Sequence, residues 1–214
     1  MTTSAIFPAL TRDEVFRLET RRMWLRWPQA CDAAALVKWV GKPVVAMQTS
    51  TFPIGMSQVE LEAKIAAMRQ ANTEGRSLGF VIELKSAPGH AVGMVGAHVR
   101  EDGQVELGYH LDPALWGQGL MTEAVAMVAD TVFALTRVDS VMAGVKPDNL
   151  GSRRVLEKAG FIADGGYEHE SPLWGRYAVK RYRRPREKIS PLVSALERFG
   201  RPVPEMAFDL CGRV

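Results

Sequence analysis

Residues 106–124, ELGYHLDPALWGQGLMTEA, put groups that can move a proton next to backbone that can hold an anion. Alternating side chains on a strand place Glu106 and His110 on one face and Leu107, Tyr109 and Leu111 on the other. Glu106 is the leading candidate for a general base and His110 the reserve. A few residues on, Gly117 and Gly119 bracket Gln118, and Leu120, Met121, Thr122 and Glu123 open what reads as a helix. The first amides of a helix have no intrahelical partner and sit at the positive end of its dipole. Glycine lets a phosphate oxygen come close to such amides. The spacing is not that of a P-loop, because Leu120 rather than Lys follows Gly119. Nor is it a dinucleotide fingerprint, because Thr122 holds the third glycine position. A bare Gly-x-Gly is also compatible with a tight connection that binds nothing.

A second stretch, residues 146–161, reads KPDNLGSRRVLEKAGF. Asn149 is a favoured helix N-cap. Ser152, three residues later, shares its helix face. Taken together, the two stretches resemble the GNAT superfamily of acyl-CoA-dependent N-acyltransferases, and within it the RimJ/RimL-type branch. The resemblance rests on Glu106, Gly108 and Tyr109; on Trp116 to Gly119; on Thr122 to Ala124; on Asn149 and Ser152; and on Glu157, Lys158, Gly160 and Phe161. It implies an α/β GNAT fold over residues 18–182, with residues 1–17 as an arm and 183–214 as a basic extension. It also implies a mixed sheet, with flanking helices, splayed between the fourth and fifth strands (104–111 and 139–145).

The co-substrate implied is acetyl-CoA. Its pantetheine would lie in the splayed opening and pair with Leu111, while its pyrophosphate would rest on the backbone of Gln118, Gly119, Leu120, Met121 and Thr122. Trp116 would prop this turn next to Gly117. Asn149 would reach the pantetheine amide or the thioester, a role compatible with capping. The acceptor implied is a primary amine: a peptide N-terminus, a ribosomal protein among the candidates, or a small molecule. An α-amine has a pKa of about 7.7–8.0 and a lysine about 10.4, so an α-amine asks less of a base. Many GNAT enzymes carry a tyrosine seven residues after the asparagine to protonate the leaving thiolate. Leu156 stands there, which leaves Ser152 as the hydroxyl of this motif. Coenzyme A thiol resembles cysteine, near pKa 8.5, so that proton adds little rate.

The surrounding elements follow from periodicity. Residues 22–27 alternate as a strand and 30–40 carry a helical apolar stripe. Residues 41–56 read as a loop. Ser57 and Glu60 form a capping box for a helix to about Gln70. Strands at 78–85 and 91–99 are separated by a turn at Pro88–Gly89. Asp102–Gly103 makes a hairpin into the strand at 104–111. Helices follow from Met121 and from Asn149 to Ala159, and a last strand pair covers 161–168 and 173–182. The chain has 214 residues, 47% of them hydrophobic, enough for one sizeable core. No apolar run nears the roughly 20 residues that span a bilayer, and no secretory leader is evident. Cys31 and Cys211, only two and far apart, suggest a reduced, cytoplasmic protein; a monomer or a homodimer is expected. The four histidines and two cysteines never cluster at metal-ligand spacing, so no metal is expected. The net charge of +3 is mild, and Lys180, Arg181, Arg183, Arg184, Arg186 and Lys188 concentrate it in a segment that reads as a solvated tail, the alternative being a nucleic-acid or ribosome-facing patch. The rival reading is a non-catalytic acyl-CoA-binding module whose basic tail serves a partner. Pro191 to Phe199 could form one more helix.

Overall fold

The computed structural model describes residues 5–186, and the expected helix at 191–199 lies outside them. Between Ser77 and Leu111 the apolar runs fold into a three-stranded antiparallel meander: β3 (Ser77–Leu84), β4 (Ala87–Val99) and β5 (Val105–Leu111). β3 is buried on both faces, as its unbroken apolar run LGFVI requires. The β3–β4 turn lies at Lys85–Ser86 rather than at Pro88–Gly89. Leu84 pairs with Ala87 but Glu83 with Ala91, so Pro88, Gly89 and His90 are absorbed as a bulge.

Two strands precede the meander. β2 (Met23–Arg26) is the expected first strand, and the short β1 (Arg17–Glu19) pairs with it on the outside. The strands expected as fourth and fifth are therefore β5 and β6 (Ser140–Val145). β7 (Ile162–Ser171) and β8 (Gly175–Pro185) complete a sheet of eight strands in the order β1-β2-β3-β4-β5-β6-β8-β7. β8 continues to Pro185, past the Tyr182 at which the last strand was expected to end. Upstream, Phe7 is fully buried in the main core, so the arm is pinned to the body.

Helices cover both faces. On one lie α4 (Leu120–Leu135) and α5 (Leu150–Lys158). Leu120, Val125, Val128 and Val132 of α4 and Leu156 of α5 pack with Leu78, Phe80, Val105, Leu107 and Val141. Each such fully buried side chain contributes about 1.5–3 kcal/mol. On the other face α1 (Ala33–Val40), the short α2 (Pro43–Ala46) and α3 (Gln58–Thr73) cover only the β3–β4 side, through Leu36, Trp39, Leu61 and Ile65, joined by Phe52 of the loop before α3, on Val81, Ala91 and Met94. α2 forms inside the segment read as a loop, with Pro43 at its first turn. Ser57 and Glu60 make the reciprocal cap of α3.

The feature that creates a site is the junction of β5 and β6. They run parallel and pair only at Val105 with Val141 and Glu106 with Met142. β5 then continues to Leu111 against β4, and β6 to Val145 against β8, with no strand between them among the described residues.

Candidate active site

Beyond Glu106 the odd-numbered residues of β5 turn their backbone groups toward this gap, because the even-numbered ones serve β4. Asp112 N–H accordingly donates to Val92 O at 2.9 Å. At the mouth, the Trp116 indole donates to the Leu111 carbonyl at 2.9 Å and so holds the turn against the strand end. Gly117 and Gly119 have φ of 78° and 74°, a left-handed backbone that side chains rarely adopt. Among the described residues, no atom other than those of its chain neighbours lies within 4 Å of where a Cβ would stand on Gly117. Among the described residues α4 starts from Gly119 with no side-chain cap, so its first amides have no intrahelical partner. The side chains of Leu111, Leu120 and Met121 are buried, which leaves only their backbone to serve a ligand.

Arg22, which sequence reasoning missed, braces this turn. Its backbone N–H and Nε donate to Glu123 at 2.9 and 2.8 Å, and its Nη1 donates to the Gln118 carbonyl at 2.8 Å. Burial works against the Glu123 carboxylate, but these bonds prevail and hold its pKa below the ordinary value. A carboxylate in the first turn also suits the helix dipole. No local pattern announces a bond between residues 101 positions apart.

Asn149 caps α5, its Oδ1 accepting from Ser152 N–H at 2.9 Å. Its Nδ2 donates to nothing among the described residues. The Tyr109 hydroxyl lies 2.7 Å from Ser152 Oγ and 3.1 Å from the Ser152 carbonyl oxygen. Burial raises the Tyr109 pKa above the ordinary phenol value, so it stays protonated. Tyr109 is thus a partner of the candidate acid. Leu156 is fully buried in the main core.

Glu106 lies across the sheet from Ser152, on the face that α1–α3 leave uncovered. Its carboxylate accepts from Arg100 Nη1, and His98 Nε2 is 3.8 Å away on the neighbouring strand. Burial, reinforced by Arg100 and opposed by Glu106, lowers the His98 pKa. A cavity of about 160 Å³ opens here, with Arg100, Glu106, Met142, Gly144, Tyr167 and Arg181 among its walls. Gly144 leaves space that a Cβ would close, since it would stand 2.9 Å from the Tyr167 hydroxyl and 3.4 Å from Glu106 Oε1. Gly108 is bare and open on the same face. His110 packs edge-on against Phe52 at 4.8 Å, and burial lowers its pKa to about 4. Among the described residues it has no charged partner, so it is a weak base near neutrality.

The basic segment is not a solvated tail as far as Arg186. Arg181 Nε donates to the Asp164 carbonyl at 2.8 Å and Arg184 Nη2 to Asp130 at 2.6 Å. The Arg186 guanidinium donates to the carbonyls of Phe133, Thr136 and Val138 at the end of α4, a favourable place for a cation. Lys188 and Cys211 lie outside the described residues. Trp174 Nε1 donates to the Thr49 carbonyl at 2.7 Å, which fastens the β7–β8 hairpin to the loop before α3. Among the described residues no group of three His, Cys, Asp or Glu could hold a metal ion, and no helix is long and apolar enough to cross a membrane.

A family model described as an acetyltransferase (GNAT) domain matches residues 22–162. The probable N-acetyltransferase YjcK of Bacillus subtilis (strain 168) is 54% identical over 59 residues, which are 28% of this chain and 33% of that protein. The uncharacterized N-acetyltransferase p20 of Bacillus licheniformis is 28% identical over 151 residues, 69% of this chain and 83% of that one. Among solved structures, Mycobacterium smegmatis RimJ in complex with CoA-disulfide superposes with a TM-score of 0.66 at 22% identity, covering 82% of this chain and 90% of that one. RimL, a ribosomal L7/L12 α-N-protein acetyltransferase in complex with coenzyme A, gives 0.67 at 18% identity, covering 84% and 97%. The microcin C7 self-immunity acetyltransferase MccE, in complex with acetyl-CoA and AMP, gives 0.67 at 16%, covering 78% and 93%. At these identities the structures share the fold.

Proposed function

Because the chain belongs to the GNAT acetyltransferase family, we propose that it transfers an acetyl group from acetyl-CoA to a primary amine by direct attack. The observation that carries this reading is the gap between the unpaired inner edges of β5 and β6, which opens beside the bare Gly117–Gly119 turn. An extended amide-bearing ligand can pair with such edges as an added strand would. The coenzyme A bound in RimJ and RimL, which share this fold, supports the same ligand here.

Each residue then has a task. The amides of Gln118 to Thr122 hold phosphate oxygens, with Arg22 and Glu123 fixing the turn. Leu111 pairs with the pantetheine, and the spare Nδ2 of Asn149 donates to it. Acetyl-CoA supplies the activated acyl carbon and a thiol leaving group. Glu106 takes the proton of the incoming ammonium on the open face. Ser152, backed by Tyr109, gives a proton to sulfur from the helix-covered face. Base and acid thus approach the gap from opposite sides, so neither reclaims the other's proton. Backbone amides along the gap polarise the acyl carbonyl.

The acceptor is a polypeptide N-terminus or a small amine. RimL and the ribosomal-protein-S5-alanine acetyltransferase of Vibrio fischeri act on ribosomal proteins, and that is the reason to put peptide N-termini in the first panel. Thiol release from acetyl-CoA over peptides and small amines tests the activity. Binding of acetyl-CoA without turnover on any acceptor would favour the non-catalytic alternative. That alternative has lost much of its basic tail, since Arg181, Arg184 and Arg186 are bonded within the fold.

A further inference from the structure

The cavity beside Glu106 carries charges of both signs. Arg100 at the end of β4 and Arg181 on β8 bring two guanidinium groups to it, opposite Glu106 and Asp102. A pocket shaped for a plain alkylammonium gains nothing from two cations, since like charge repels the substrate. Arg100 is engaged by Glu106, with Asp102 at 3.7 Å. Arg181 uses only its Nε, on Asp164. Its Nη atoms make no hydrogen bond among the described residues. The Tyr167 hydroxyl is likewise unbonded among them, although it converges with Glu106 over Gly144.

We propose that the acceptor is an amine whose own skeleton carries a carboxylate a few bonds from the nitrogen. The carboxylate sits on Arg100 and Arg181, and the nitrogen on Glu106 and Tyr167. This rests on the acetyltransferase reading and names its substrate class. A free amino acid and a polypeptide beginning with an acidic residue, or with one at its second position, share this chemistry.

Arg100 becomes a positioning residue under this arrangement. With no acceptor present it clasps Glu106. An acceptor carboxylate offers it a second, bidentate partner, and its shift toward that partner leaves Glu106 to accept a proton. The balance is simple. The ammonium gives one proton to Glu106 and thence to solvent. The N–C bond forms as the C–S bond breaks. The second nitrogen proton leaves as the amide forms, and it offsets the proton the thiolate receives. A neutral acceptor leaves Arg100 on Glu106 and reacts slowly.

The test compares isosteric pairs on the full chain, by thiol release from acetyl-CoA. One pair is Ser-Asp-Ala against Ser-Asn-Ala, both amidated at the C-terminus; the other is serine against serinamide. The expected result is a kcat/KM advantage on the order of tenfold or more for the carboxylate in at least one pair. Advantage in the peptide pair identifies a polypeptide acceptor, and advantage only in the serine pair identifies a free amino acid. Arg181→Gln should collapse the ratio toward one by raising KM for the carboxylate member, and Arg181→Lys should keep part of it. A wild-type ratio near one in both pairs, or a preference for the amides, overturns the proposal even if transfer is brisk. If no acceptor is acetylated, the activity reading fails. Calorimetric titration of the same pairs into protein saturated with acetyl-CoA then decides this inference alone: equal affinity overturns it, and tighter binding of the carboxylate member supports it.

Discussion

The hydroxyl of Tyr109 on β5 lies 2.7 Å from Oγ of Ser152 on α5. This bond joins the strand lining the gap to the helix that closes it. Burial keeps Tyr109 protonated, so it can orient the Ser152 hydroxyl and resupply it. Ser152→Ala and Tyr109→Phe should each lower kcat modestly with little change in the KM for acetyl-CoA. If the pair acts as a unit, the double variant should lose no more than the worse single one. Additive losses in steady-state kinetics would separate the two residues.

Glu106→Gln should lower kcat by roughly 10²–10⁴-fold while acetyl-CoA still binds. The deficit should shrink as pH rises and the acceptor amine deprotonates unaided. A pH–rate profile of the variant parallel to wild type would reduce Glu106 to a partner of Arg100.

Acetyl-CoA should raise the melting temperature, and Gly119→Glu should abolish that rise, by placing a carboxylate and a strained left-handed backbone at the turn proposed to hold the phosphates. Calorimetric affinity equal to wild type would remove the turn from the binding site.

His110 predicts a pH dependence of stability. Its pKa is about 4 folded and near 6.5 unfolded. Between these values the unfolded chain binds more protons, so stability falls as pH drops through that window and the loss is complete below it. Above about pH 6.5 the group costs nothing. The size is on the order of 1–3 kcal/mol. Urea midpoints from pH 4 to 8 should fall less steeply for His110→Phe than for wild type, and identical slopes would count against a half-buried imidazole held neutral by desolvation.

The Arg26 guanidinium bridges two buried carboxylates, Asp32 at 2.7 Å and Glu83 at 2.7 Å. Arg26→Met leaves both uncompensated. It should cost about 3–5 kcal/mol in urea unfolding, far more than loss of the exposed Arg176–Glu170 pair.

Local rules made part of this protein legible in its sequence. The Ser57–Glu60 cap, the Asp102–Gly103 hairpin, the Gly117–Gly119 turn and the Asn149 cap are decided within a few residues, by hydrogen bonds and backbone sterics that neighbours alone determine. Periodicity likewise separated the two faces of β5. Where neighbours do not decide, spacing along the chain is not enough: sheet register replaces the expected Pro88–Gly89 turn with a bulge. The contacts that complete the site depend on which strands become adjacent. Arg22 meets Glu123, and Tyr109 meets Ser152, only once α4 and α5 pack on one face of the sheet. Tyr167 reaches Gly144 and Glu106 only because β7 adds outside β8, so its side chain crosses that strand to β6. Arg186 finds the end of α4 because β8 runs antiparallel to β6. Spacing along a chain determines helices, caps and turns, whereas strand order and burial of the whole core determine which distant charges face one another.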